Sequence, residues 1–132
     1  APGSLTLIRA VESGTVASVV SWVNPGNGNW QVNVEVAYDP VFTIAYTFEP
    51  MSLDATIGEA QLAEIAVQSG DAVQKGDTIG NLYYGEDGTH LDFAVLRNQH
   101  SVCPEPYFTP EARASVLSIL QTTWPGASMC YE

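Results

Sequence analysis

Basic residues are scarce in this chain: Arg9, Lys75, Arg97 and Arg113 stand against 15 acidic side chains, for a net charge of −11. A surface with that balance repels phosphate backbones and anionic headgroups, which argues against nucleic acid and anionic membranes as partners. It favours cationic ligands, divalent metals such as calcium, or saline surroundings. Long hydrophobic runs are also missing. None approaches the ~20 residues that span a bilayer, so no membrane insertion is expected. Cysteine is limited to Cys103 and Cys130, with no CxxC spacing, which removes the usual frame of a zinc ribbon or thioredoxin-like site. Histidine is limited to His90 and His100.

What remains is rich in strand-forming residues. Hydrophobic side chains make up 45% and aromatics 10%, too many for a disordered chain. The 132 residues suit one domain over 1–132 with a core of its own. The opening APGSL reads as a processed end, any targeting segment lying upstream. Leu5 to Ala10, Gly14 to Val23, Trp30 to Ala37 and Val41 to Phe48 are dense in Val, Thr, Ile and aromatics, and turn residues separate them. Val32, Val34 and Val36 alternate with Gln31, Asn33 and Glu35, the pattern of a half-buried antiparallel strand. A helical turn near Gly58 to Leu62 precedes an expected strand at Ala63 to Gln68. Strands follow at Ala72 to Val73, Thr78 to Tyr84 and Thr89 to Leu96. One helix is clear: Thr109 suits the N-cap, Pro110 the first helical position, and Val116, Leu117 and Leu120 form an apolar stripe. The expected fold is all-β: an antiparallel sheet or sandwich with strands over about 5–96, then one C-terminal α-helix over about 110–121 and a tail.

The two cysteines are either reduced thiols or a disulfide. Their loop-like settings beside Pro104 and at the tail, in a lysine-poor chain, favour a disulfide and an extracytoplasmic, secreted or periplasmic location.

The chemistry concentrates at one strand. His90 and Asp92 are two residues apart and share a face, while Leu91 and Phe93 point the other way. Such a pair is a metal site, an acid–base pair, or a histidine satisfied by its neighbour. His100 reads as an exposed loop residue. Upstream, Gly70-x-x-Val73-x-x-Gly76-x-x-Ile79-Gly80 supplies glycines at tight turns. Biotinyl and lipoyl carriers use a similar hairpin with a lysine at its tip, but Lys75 sits just before the turn glycine Gly76. Followed by Thr89-His90-Leu91-Asp92-Phe93-Ala94-Val95, the segment resembles the lysostaphin/LytM-type zinc metallopeptidases, extracytoplasmic β-domains that cleave bacterial cell-wall peptides. The resemblance extends from about Ala10 to Phe108 and includes Pro104 to Phe108 as a closing segment.

The resemblance implies a LytM-type fold and also marks departures from it. Active members hold zinc through an early HxxxD motif and the second histidine of HxH. This sequence has no HxxxD, and its HxH position reads His90-Leu91-Asp92. A further family histidine, aligned on Tyr46-Thr47, falls at Phe48, which neither ligates a metal nor donates to an oxyanion. The expected site is therefore a ligand cleft of Tyr46, Phe48, Glu49, His90 and Asp92. His90 is the sole catalytic candidate, and His90 and Asp92 are the metal candidates should zinc bind, although no cofactor is expected. The implied function is a non-catalytic LytM-like module that binds a cell-wall peptide or a protein partner. The alternatives are a zinc-dependent endopeptidase or other hydrolase with further ligands outside the chain, and a structural or adhesive module whose acidic face binds calcium.

Overall fold

A computed structural model describes residues 1–130. Eight strands and two α-helices follow in the order β1 (Leu5–Arg9), β2 (Gly14–Val23), β3 (Trp30–Ala37), β4 (Phe42–Glu49), α1 (Ala55–Ala63), β5 (Ala72–Val73), β6 (Thr78–Tyr83), β7 (His90–Arg97), β8 (His100–Val102) and α2 (Pro110–Thr123), with a 3-10 turn at Glu105–Tyr107. All strand pairing is antiparallel. One sheet has six strands in the order β5-β2-β3-β4-β7-β8, and β1 pairs with β6 in a second sheet. The architecture is β-rich and antiparallel, as the strand pattern predicts, and β2 and β3 run between the residues read from sequence.

Three elements differ from expectation. Among the described residues there are two α-helices, not one. α1 forms over nine residues where one helical turn near Gly58 to Leu62 was expected, and the strand expected at Ala63 to Gln68 does not form: Ile65 makes a single bridge to Gly80. Its start is capped by Asp54, whose side chain accepts from the Thr56 amide at 2.8 Å. Its interior glycine, normally a helix weakener, is required by packing: a Cβ at Gly58 would lie 2.7 Å from the Trp30 indole. Strand structure also extends past residue 96, because β8 pairs back on β7 through a tight turn in which Asn98 and Gln99 both have positive φ. At the C-terminus the helix stands where expected, and Cys103 and Cys130 form a disulfide.

The core lies on the inner face of the six-stranded sheet. Val32, Val34 and Val36 of β3 and Tyr46 and Phe48 of β4 are buried there with Val16, Val73 and Ile79. Period-two alternation then sends Gln31, Asn33, Glu35, Thr47 and Glu49 to the outer face.

Candidate functional site

Register, not sequence proximity, assembles the site. β4 and β7 pair so that Glu49 lies opposite His90 and Thr47 opposite Asp92. Directly opposed residues share a face, so the two carboxylates and the imidazole converge on the outer side of the sheet. The same register corrects the expected cleft. Tyr46 and Phe48 point inward, at 1% and 0% exposure, and belong to the core. The Tyr46 hydroxyl accepts from the Val11 amide at 3.0 Å, and its ring meets Phe93 edge-on. Of the five cleft residues expected, Glu49, His90 and Asp92 come together and the two aromatics do not.

Glu49 is buried and doubly held. Gln31 Nε2 donates to its Oε1, and its Oε2 faces His90 Nε2. Asp92 Oδ1 lies 3.7 Å from the same imidazole nitrogen and is largely exposed. The other ring nitrogen, Nδ1, is 2.7 Å from the Gly88 carbonyl, to which its N–H donates a hydrogen bond. That bond leaves Nε2 as the atom presented to the carboxylates. The Gly88 carbonyl is positioned by the turn before β7. Thr89 Oγ1 donates to Pro50 O at 3.0 Å, and Gly85 packs so close that a Cβ would come within 2.6 Å of that carbonyl. Any side chain at position 85 would push the turn off the end of β4, and Gly88 with it.

Gln31 was not singled out by sequence reasoning. Its only signal was position, as the first polar residue of an alternating strand that neighbours β4. Thr47 Oγ1 donates to Asn33 Oδ1 at 2.9 Å and Ser18 Oγ to Glu35 Oε2 at 3.3 Å, so a polar ladder continues across the outer face. There the face forms an open trough of about 500 Å³ lined by Ser18, Val20, Trp22, Asn33, Glu35, Ala45 and Thr47. Trp22 lines it, whereas Trp30 packs against α1. His100 lies on β8 opposite Arg97, exposed and apart from the cluster.

Burial raises the Glu49 carboxyl above its ordinary 4.5, Asp92 adds to the rise, and His90 opposes it. The Gly88 carbonyl raises His90 above 6.5 against the opposing effect of burial, with Glu49 and Asp92 adding to the rise. Both groups hold protons more tightly folded than unfolded. The stability each contributes is complete below its ordinary value and is lost as pH climbs through the raised one. Melting temperature is therefore expected to fall between about pH 5 and pH 8, and the fall to shrink in the His90→Gln, Glu49→Gln double variant. A thermal melt series in a chelator settles it. An unchanged slope in the double variant would assign the dependence to other groups.

Ligand atoms of Glu49, His90 and Asp92 all lie within 4.8 Å of one another, a spacing that a divalent cation fits. A second grouping, Cys103, Glu105 and Cys130, is already committed: the cysteines are bonded to each other and Arg113 pairs with Glu105 at 2.6 Å. No helix among the described residues is long and apolar enough to cross a membrane. Compared with known proteins, the chain matches no family model, and no curated protein is significantly similar to it.

Proposed function

We propose that this chain is an exported, LytM-like binding module, and that it receives an extended peptide bearing a free ammonium group over the outer face of the six-stranded sheet. The observation that carries this reading is the placement of the Glu49–His90–Asp92 cluster on the same outer face as an open trough whose own charged side chain is Glu35. A peptide lying there meets exposed carboxylate at Asp92 and polar strand side chains along its length. His90 is engaged at both ring nitrogens, by Gly88 and by Glu49, and is a poor free base. Cell-wall stem peptides, with their side-chain amines, have the chemistry the trough would accept. A disulfide-bonded pair suits an oxidising, extracytoplasmic setting.

Binding is tested by calorimetry with a cell-wall stem peptide and the same peptide acetylated at its amine. Saturable binding is expected, weakened about tenfold by acetylation and by a similar factor in Asp92→Asn. Equal affinity for both peptides, or no heat at all, would overturn the reading.

A second reading rests on the tautomer of His90. With Nδ1 donating to a carbonyl, Nε2 stands between two carboxylates as a metal-ligating imidazole does. A divalent ion held by Glu49, His90 Nε2 and Asp92 would supply Lewis-acid activation of water. Metal content by mass spectrometry after dialysis against zinc decides between the two. About one zinc per chain, lost in His90→Ala, would favour a hydrolase. A metal-free protein that still binds peptide would favour the module.

A further inference from the structure

The inner face of the six-stranded sheet extends beyond the layer that covers it. α1 lies over the start of β3, where Gly58 meets Trp30, and the β1–β2 turn reaches only as far as Tyr46, through the Val11 amide. Past that point Phe42 and Ile44 of β4 and Phe93 and Val95 of β7 still point inward; Val95 is buried, while Phe42, Ile44 and Phe93 are only half-buried. Between the β1–β2 turn, the β3–β4 turn at Tyr38 and Asp39, and the 3-10 segment this leaves a half-open cavity of about 310 Å³. It is within the size range of small-molecule sites. It opens on the face opposite the histidine cluster and shares no lining residue with the trough.

Its walls combine two chemistries. Tyr38, Phe42, Phe93 and Tyr107 contribute aromatic surface, with Phe42 and Tyr107 set edge to face at 5.2 Å so that they form a corner. The two charged side chains on the wall, Glu12 and Asp39, are both carboxylates, and among the described residues neither has a cationic partner. Both are held in place by backbone amides. Glu12 Oε1 accepts from Ser13 at 2.8 Å, and Asp39 Oδ1 accepts from Val41 and Phe42 at 2.7 Å. One oxygen of each is left without a protein donor among the described residues.

We propose that this groove binds a small quaternary ammonium ion, its alkyl groups against the aromatic walls and its charge balanced by Glu12 and Asp39. Aromatic faces attract a cation through their quadrupole, and fixed carboxylates at the edge add direct charge complementarity. A quaternary centre fits better than a primary amine because it carries no N–H. Its alkyl groups pack against the aromatic faces, and Glu12 and Asp39 at the edge then act through charge and not through a directed hydrogen bond.

The probe is choline, with its uncharged carbon isostere 3,3-dimethylbutan-1-ol as control, titrated against the aromatic ring resonances of Phe42 and Tyr107. Choline is expected to saturate and to bind about tenfold more tightly than the isostere. Tyr107→Ala is expected to weaken it several-fold while Tyr107→Phe retains it. The Glu12→Gln, Asp39→Asn pair, which keeps the oxygens that accept from the backbone, should remove most of the salt dependence. His90→Ala should bind choline as the parent does, so failure of the trough reading and failure of this one are separable. Absence of saturation, equal binding of the isostere, or tighter binding of arginine methyl ester than of choline would overturn the proposal. The last result would assign the groove to a peptide side chain.

Discussion

Replacing Gln61 by leucine is expected to destabilise the domain by about 3 kcal/mol, a large part of the 5–15 kcal/mol typical of a single domain. Gln61 is fully buried on α1 and acts there as a substitute strand. Its amide donates to Asn81 O at 2.9 Å and its carbonyl oxygen accepts from the Tyr83 amide at 2.8 Å. Both partners are backbone groups on the side of β6 away from β1. Leucine fills most of the volume but leaves a buried N–H and a buried C=O without partners, and each orphan costs about 1–3 kcal/mol. The apolar burial gained offsets part of that. A urea melt should show a lower midpoint with unchanged slope, and a thermal melt a drop of about 10 °C. The neighbouring Leu62→Ala, at a position 42% exposed, is the control and should lie within about 1 kcal/mol of the parent. A Gln61→Leu protein as stable as the parent would mean that water or relaxed backbone satisfies β6.

Breaking the disulfide is expected to release α2 and leave the β-domain intact. α2 runs for 14 residues without one buried side chain, and Ile119 and Trp124 are 72% and 64% exposed. Its attachments are few: half-buried Val116, Leu117 and Leu120, the Arg113–Glu105 ion pair, and the Cys103–Cys130 bond behind it. An isolated helix of that length is marginal in water. The chain-entropy value of closing a loop of about 28 residues, ~3.6 kcal/mol, is thus spent mainly on holding this segment. In the Cys103→Ser, Cys130→Ser double variant, hydrogen exchange should show amides of Ser115 to Leu120 losing nearly all protection, while those of Val32 to Val36 change little. Loss of protection across both would show instead that the helix and the sheet unfold as one unit.

Legibility in the sequence followed the range of the forces involved. β2 and β3 could be read between their ends because alternation and turn residues are local signals. α2 could be read because its cap, its Pro110 and its apolar stripe are local as well. α1 could not. Gly58 and the β-branched Thr56 and Ile57 argue against a helix until Trp30 and β6 are present to pack on it. β8 was hidden because its turn, Asn98-Gln99, takes positive φ at both residues without a glycine to mark it. The site was half legible. His90 and Asp92 share a face by strand periodicity alone. Phe48 was placed beside them by aligning Tyr46-Thr47 with the resembled family, but it lies opposite Leu91 while Glu49 lies opposite His90, and neighbours along a strand point to opposite faces.

The sequence by itself determined an acidic, β-rich domain, its main strand boundaries, its C-terminal helix, and a histidine and an aspartate on one side of a strand. These follow from composition and from periods of two and 3.6 residues, which need no partner segment to be defined. Only the tertiary structure decided that Glu49, and not Phe48, is the residue set against His90, that Gln31 holds it there, that Tyr46 and Phe48 belong to the core, and that an aromatic, carboxylate-edged groove opens on the other face. Each depends on which residue of one strand lies opposite which residue of the next. That pairing is set by cooperative burial across the whole sheet, and no single strand carries it.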